Sequence, residues 1–347
     1  MLTDKKRVQN KNYQWKRLAI KSRSQKYLSP PVKTLFLTGA AGRWLESLNR
    51  TKQVAQDSGI RVITVCDREC DIYEFFELAD KIESPVLVRA GKDRVINKPS
   101  RYSEKKSENL WSYIQGLPIQ GEMKVEIPTR DHKKGRTSTL QLRFGSFTLH
   151  PPRNHIRHKT EKLPDLHLNA VYVLEANCPE GEEPLEWMLV TNLAIQNFDE
   201  AIEKISWYCL RWRIEVFHKI LKSGLRVESC RLQTADRLMR YLTVMSIIAW
   251  RIFWITLIGR SHPDSPCTLL LAENEWKIIC LKIFPRKPLP IKVPTIQETV
   301  RWIAQLGGFL GRKGDGEPGP IALWRGWMRF CDLVEGWNLA METAICG

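Results

Sequence analysis

Arg61-Val-Ile-Thr-Val-Cys-Asp67 and Pro85-Val-Leu-Val-Arg89 bracket the mixed run Ile72–Ile82, and the order of these three segments decides the fold class. The first run is short, β-branched and apolar, and it closes on an acid. It predicts a buried, parallel strand with Asp67 at its C-terminal end. Asp71 reads as the cap of a helix over 72–82, and Pro85–Arg89 as the next strand. Strand–helix–strand is one βαβ unit, and ligands gather outside the carboxyl ends of such strands. Ahead of it, Arg43-Trp-Leu-Glu-Ser-Leu48 begins a helix expected to end near Gly59.

From about residue 92 to 182 the texture changes to alternating segments, among them Met123–Ile127, Thr139–Phe144 and Ala170–Glu175. Turn-rich stretches and the basic runs 132–136 and 153–159 separate them, which predicts an antiparallel β insertion with basic loops. Leu185–Thr191 is a last strand. Asn197 and Glu200 then form a capping box for a long helix, which Gly224 stops. Beyond about Thr234 the chain reads as helical, interrupted by the Pro-rich Phe284–Pro294 and the Gly-rich Gly307–Pro320.

That long helix carries Tyr208-Cys-Leu-Arg-Trp-Arg-Ile-Glu-Val-Phe-His-Lys-Ile-Leu-Lys222. At helical periodicity Tyr208, Arg211, Glu215, Lys219 and Lys222 fall within an arc of roughly 80°. One face then holds a carboxylate ringed by an arginine, two lysines and a phenol. A carboxylate can bind a divalent metal, and the cations and phenol can hold a phosphodiester against it. The spacings Arg211–Glu215 and Glu215–Lys219 are also those of a solvated i,i+4 ion-pair ladder.

Lys plus Arg number 54 against 38 Asp plus Glu in 347 residues, a formal charge of +16, with 43% of residues hydrophobic. The size suits two domains, and the charge suits a polyanion, with nucleic acid the default partner. Ten of the basic residues lie in positions 1–33 against the single acid Asp4, so residues 1–42 read as a basic, disordered arm. Nine cysteines without a Cys-x-x-Cys pair and seven histidines without zinc spacing argue against a zinc site and suit a reducing cytoplasm. Residues 1–27 are polar and basic, so no signal peptide is expected. Tyr241–Ile258 is apolar but contains Arg251, which would cost about 2.5–3.5 kcal/mol at a bilayer centre. It reads as a buried core helix, with no membrane partner.

Asp67 at a strand end and Glu215 on a later helix, with a β insertion between them, suggest an RNase H-like arrangement. Two such carboxylates would hold Mg²⁺ or Mn²⁺ in preference to zinc. Taken alone, Asp67 would read as a turn or helix cap. With these motifs the chain resembles the DDE transposases of bacterial insertion sequences. The likeness is to the subgroup marked Tyr-x2-Arg-x3-Glu-x6-Lys (IS-four type), typified by the transposase of transposon five. It extends from about Arg43 to the C-terminus through Val65-Cys-Asp-Arg-Glu69, Pro184-Leu-Glu-Trp-Met-Leu-Val-Thr191, the Tyr208–Lys222 signature, Ile303-Ala-Gln-Leu-Gly-Gly-Phe309 and Leu323-Trp-Arg-Gly-Trp327.

The resemblance implies that Asp67 and Glu215 are the second and third metal-binding, catalytic carboxylates. It implies that Tyr208, Arg211, Lys219 and Lys222 grip phosphates at the transposon end, and that Arg89 is an active-site arginine. Trp187 would receive a flipped base; the alternation of Leu185, Trp187 and Leu189 equally permits a core tryptophan. The implied architecture is an α/β, RNase H-like core with an antiparallel β insertion over residues 43–233, then a helical dimerisation domain over 234–347. The implied partners are transposon-end DNA and a second transposase, either another copy of this chain or a full-length enzyme. The implied setting is a bacterial cytoplasm at the nucleoid.

The family's first catalytic aspartate has no counterpart. Before Asp67 the only acids are Asp4, Glu46 and Asp57, and none follows an apolar strand. The sequence thus reads as an N-terminally shortened transposase of impaired activity, with a sheet edge left open to association. Two other readings stay open: a non-catalytic dimerising regulator of a full-length transposase, and a metal-dependent nuclease that recruits another acid.

Overall fold

The computed structural model describes residues 40–97, 108–127, 136–153, 157 and 161–346. The basic arm before residue 40 and most of the two basic runs lie outside the described residues. Helix α1 (Ala40–Ser58) precedes strand β1 (Thr64–Cys66), which is shorter than the apolar run that announced it. β1 pairs in parallel with β2 (Val86–Arg89), Thr64 opposite Val86 and Cys66 opposite Val88. A 3₁₀ turn over Arg68–Cys70 and helix α2 (Tyr73–Lys81) connect the two. The βαβ unit is present.

Its capping differs from the expectation. Ile72 stands at the N-cap of α2 and gives no side-chain bond, whereas Asp67 caps the 3₁₀ turn by accepting from the Arg68 N–H at 2.7 Å. Asp71 is buried and turned elsewhere. Its carboxylate accepts from the N–H groups of Gly91 and Lys92 at 2.8 and 3.0 Å and pairs with Arg94 at 2.7 Å. A buried carboxylate needs several donors and a cation to offset its lost hydration, which one helix N–H does not supply.

The alternating segments form β5 (Gly121–Ile127), β6 (Arg136–Leu149), β7 (Leu166–Glu175) and β8 (Glu186–Thr191). They do not stand apart from the βαβ unit. β8 pairs antiparallel with both β2 and β7, giving one six-stranded sheet in the order β1-β2-β8-β7-β6-β5. Among the described strands, β1 is an edge of that sheet. A two-stranded sheet of β3 (Val95–Asn97) and β4 (Glu108–Asn109) and helix α3 (Leu110–Gly116) lie between β2 and β5 in the chain.

The pleat sends alternate residues to opposite faces. Cys66, Val86, Val88, Ala170, Met188 and Val190 pack with Leu48 of α1 and with Phe75 and Phe76 of α2. Leu87, Leu140, Leu142, Val171, Val173 and Leu189 pack on the other side beneath Ala201, Ile205 and Tyr208 of α4 (Phe198–Leu210). Each fully buried aliphatic or aromatic side chain contributes about 1.5–3 kcal/mol by leaving water. The second face is the one the candidate site grows from.

The C-terminal region is helical: α5 (Arg213–Lys219), a π turn over Ile220–Gly224, α6 (Ala235–Ser261), α7 (Glu273–Ile283), α8 (Ile296–Leu306) and α9 (Pro320–Cys346). Its core joins Ile252 and Ile255 of α6 to Trp276, Ile279, Ile296, Val300, Ile303, Leu323 and Phe330. Ile220 belongs to this cluster and Phe217 packs on it, so the Tyr208–Lys222 stretch links one core to the other.

Gly307 and Gly326 let α8 and α9 approach closely. A Cβ on Gly326 would lie 1.8 Å from the Ile303 carbonyl oxygen, and one on Gly307 1.9 Å from that of Ala322. Neither contact can be relieved without moving backbone.

The expectation of a buried core helix over 241–258 holds for only part of α6. Ala249, Ile252, Ile255 and Gly259 are buried, while Met239, Val244, Ile247 and Trp250 are exposed. By length and composition α6 qualifies to cross a membrane. Arg251 at its middle donates to the Leu270 carbonyl at 2.9 Å and lies over the rings of Trp254 and Trp327.

Candidate functional site

The expected single helix through residue 222 is interrupted. Asn197 caps α4 by accepting from the Glu200 N–H at 3.0 Å, and Glu200 reaches back to the Gln196 N–H at 2.9 Å. α4 ends at Leu210, and the next bonds are of the tighter i→i+3 type, from Arg211 to Tyr208 and from Ile214 to Arg211. α5 then runs to Lys219 and loosens into the π turn that contains Lys222. The chain stays right-handed throughout, but tightening at one end and loosening at the other undo the uniform 100° step. The signature side chains therefore do not form one stripe.

Three of them, Tyr208, Arg211 and Glu215, nevertheless cluster, and Arg211 reaches Asp67. Arg211 donates from Nη2 to Glu215 Oε1 at 2.9 Å, and its Nη1 lies 3.6 Å from Asp67 Oδ2. The guanidinium thus spans the two candidate metal ligands, one from the end of β1 and one from α5. Its own side chain is 18% exposed, while those of Asp67 and Glu215 are 47% and 39% exposed. Burial acts against the guanidinium's charge, but the Glu215 hydrogen bond, the adjacent Tyr208 phenol and the nearby Asp67 charge outweigh it. The pKa of Arg211 is held above the ordinary arginine value. Solvent screening at two such exposed carboxylates limits these pairs to about 0–1 kcal/mol of stability.

Tyr208 is buried, its ring 5.7 Å from the Arg211 guanidinium and 5.5 Å from the Trp187 ring, edge to face. Among the described residues neither the Tyr208 hydroxyl nor the Arg211 Nε has a hydrogen-bond partner. Leaving such donors unpaired costs about 1–3 kcal/mol each, and water or a ligand is the usual remedy. Trp187 is partly buried and packs with the core under α4, on the side the strand alternation assigned to it. The ring is at once a core residue and a wall of this site.

The remaining candidates are dispersed. Arg89 ends β2, opposite Leu189, and donates to the Glu186 carbonyl at 3.3 Å. Lys222 is exposed and pairs with Glu228 at 3.0 Å. Lys219 is exposed at the end of α5, with no ion pair among the described residues, so the i,i+4 ladder extends no further than Arg211–Glu215. One cation was overlooked in the sequence: Lys204, one helical turn before Tyr208. It is buried, 2.9 Å from Glu203 and 4.7 Å above the Trp207 ring. Its i,i+4 spacing to Tyr208 was the available signal.

The donor set fits a hydrated divalent cation such as Mg²⁺ or Mn²⁺: two carboxylates, hard oxygens only, half open to water that can complete the coordination. Among the described residues no group of three or more His, Cys, Asp or Glu side chains is placed to hold a metal, so the set stops at two carboxylates.

Comparison with known protein families yields a match over residues 247–347 to the Transposase Tn5 dimerisation domain. The matched stretch begins inside α6 and takes in α7, α8, α9 and the glycine-mediated crossing between the last two. It supports a transposase-type protein with a dimerisation region at its C-terminal end.

Proposed function

We propose that this chain acts in DNA transposition as a member of the cut-and-paste DDE group. In this reading it dimerises through α9 and its neighbours and presents Asp67 and Glu215 to a transposon end. The observation that carries the reading is the match of residues 247–347 to a transposase dimerisation domain. The convergence of Asp67, Arg211 and Glu215 supports the catalytic part.

In this role Asp67 and Glu215 hold the cation, and Arg211, Tyr208 and the lysines hold phosphate oxygens. Trp187 offers a ring face to a splayed base, a contact worth about 1–3 kcal/mol. Bound Mg²⁺ or Mn²⁺ would supply charge stabilisation for phosphodiester displacement. The surplus of cations draws the chain to DNA in a salt-dependent way.

A second reading, a non-catalytic partner of a complete transposase, is favoured by the two-carboxylate donor set. It uses the same dimer surface, where Trp337, Leu339 and Met341 are exposed on α9.

One experiment with two arms tests both. Sedimentation at micromolar concentration should show a dimer that Leu339→Glu converts to monomer; a monomer at all concentrations would remove both readings. Mn²⁺-dependent nicking of transposon-end duplex, abolished by Asp67→Ala and by Glu215→Ala, selects the catalytic reading. A dimer without such nicking selects the regulator.

A further inference from the structure

Arg211 lies between the two carboxylates proposed to hold the metal. Its two terminal nitrogens face Asp67 Oδ2 and Glu215 Oε1, one oxygen of each carboxylate. A guanidinium and a divalent cation cannot share that space, because like charges at van der Waals distance repel strongly where water is partly excluded. One must leave for the other to enter.

The same side chain carries an unused donor. Arg211 Nε and the Tyr208 hydroxyl, three residues apart, are both buried and make no well-aligned hydrogen bond among the described residues, although the phenol lies close enough to support the charge of Arg211. A phosphodiester oxygen would accept from both, and a guanidinium grips phosphate through paired N–H groups in a fixed fork.

We propose that Arg211 is a resident cation that closes the two-carboxylate site, competing with divalent metal for Asp67 and Glu215, and that a DNA phosphate opens the site by drawing the guanidinium away with the help of the Tyr208 hydroxyl. This rests on the reading of Asp67 and Glu215 as metal ligands. Its consequence is coupling: DNA raises metal affinity, and by linkage metal raises DNA affinity by the same factor. Metal uptake without DNA is weak because Arg211 already neutralises the pair.

The test is Mn²⁺ binding to the full chain, followed by the loss of the free-ion paramagnetic signal, with and without a short duplex. Arg211→Ala and Arg211→Gln are compared with the unaltered chain; the glutamine keeps a hydrogen bond to Glu215 without the charge. The closed-site model expects both variants to bind Mn²⁺ about tenfold tighter without DNA, and the duplex to enhance binding only in the unaltered chain, within the usual coupling range of about 5–150-fold.

Mn²⁺ binding that requires Asp67 and Glu215 but is unchanged or weakened in both Arg211 variants overturns the competition and leaves the metal-site reading standing. Binding that survives Asp67→Asn together with Glu215→Gln, or no binding to the unaltered chain or either Arg211 variant with or without DNA, overturns the metal site and the competition together.

Discussion

Arg136 and Arg211 each stand between two carboxylates, yet their surroundings give them different work. Arg136 bonds Glu175 at 2.6 Å and Glu182 at 2.9 Å. The Glu175 side chain is 0% exposed and also accepts from the Ser138 hydroxyl at 2.7 Å and the Leu185 N–H at 3.0 Å. That cluster ties β6 to β7 and to the turn entering β8, and its Glu175 carboxylate is fully supplied with donors. Arg211 spans Asp67 and Glu215 in a half-open setting, with its Nε and the neighbouring Tyr208 hydroxyl unpaired. The residue types are the same. Saturation marks the structural cluster, and unspent hydrogen-bonding capacity marks the one suited to a ligand.

The largest expected effect breaks the saturated cluster. Glu175→Ala leaves a guanidinium, a hydroxyl and an N–H without their acceptor, and removal of one partner from a buried pair costs about 3–5 kcal/mol. Denaturant unfolding measures it; a loss below about 1 kcal/mol would place Glu175 on a par with a surface pair.

The same carboxylate has a pH signature. Burial would raise its pKa, but the Leu185 N–H, the Ser138 hydroxyl and the Arg136 charge outweigh that and hold it below the usual glutamate value. A depressed folded pKa gives stability that is present above the unfolded value of about 4.3 and lost as pH falls through the folded value. The stability of Glu175→Gln should therefore fall less steeply than that of the unaltered chain as pH drops below about 4.3. Parallel curves would show that another acid governs this range.

Arg211→Ala sharpens the contrast from the other side. Both of its partners are more than one-third exposed, so its removal should change stability by no more than about 1 kcal/mol. Arg136→Ala, by stranding the buried Glu175, should cost several times more. Equal losses in the two variants would erase the distinction between the clusters.

Much of this architecture could be read from periodicity. The β-branched run before Asp67, the alternation around Trp187 and the Asn197–Glu200 box all lie where local pattern and tertiary packing agree. Three features were not legible. Asp71 looked like a cap because its real partners, Gly91, Lys92 and Arg94, are some twenty residues away, and only folding brings them near. The break at Arg211 violates helical periodicity without a Gly or Pro to announce it, and the π turn begins at Ile220, four residues before the Gly224 that marked the expected helix end. The Asp67–Arg211 contact joins a strand end to a helix boundary, a juxtaposition that no spacing encodes. Conversely, two motifs that read as separate, around Gly307 and Gly326, are the two sides of one helix crossing.

The smallest effect is expected at Tyr208, and its sign is what informs. A buried hydroxyl without an acceptor weakens the fold, so Tyr208→Phe removes an unsatisfied group and keeps the ring against Trp187. Stability should be unchanged or higher by up to about 1 kcal/mol, the low end of the penalty for an unpaired buried polar group. DNA affinity at low salt should fall in the same variant under the proposal that the hydroxyl serves a DNA phosphate. Thermal unfolding and a duplex titration, run on the same preparation, read the two quantities. A loss of stability above about 1 kcal/mol would mean that the hydroxyl already has a partner, such as an ordered water, and Tyr208 would then belong with the saturated cluster around Glu175. Unchanged stability with unchanged DNA affinity would leave the hydroxyl without a role and reduce the site to Asp67, Arg211 and Glu215.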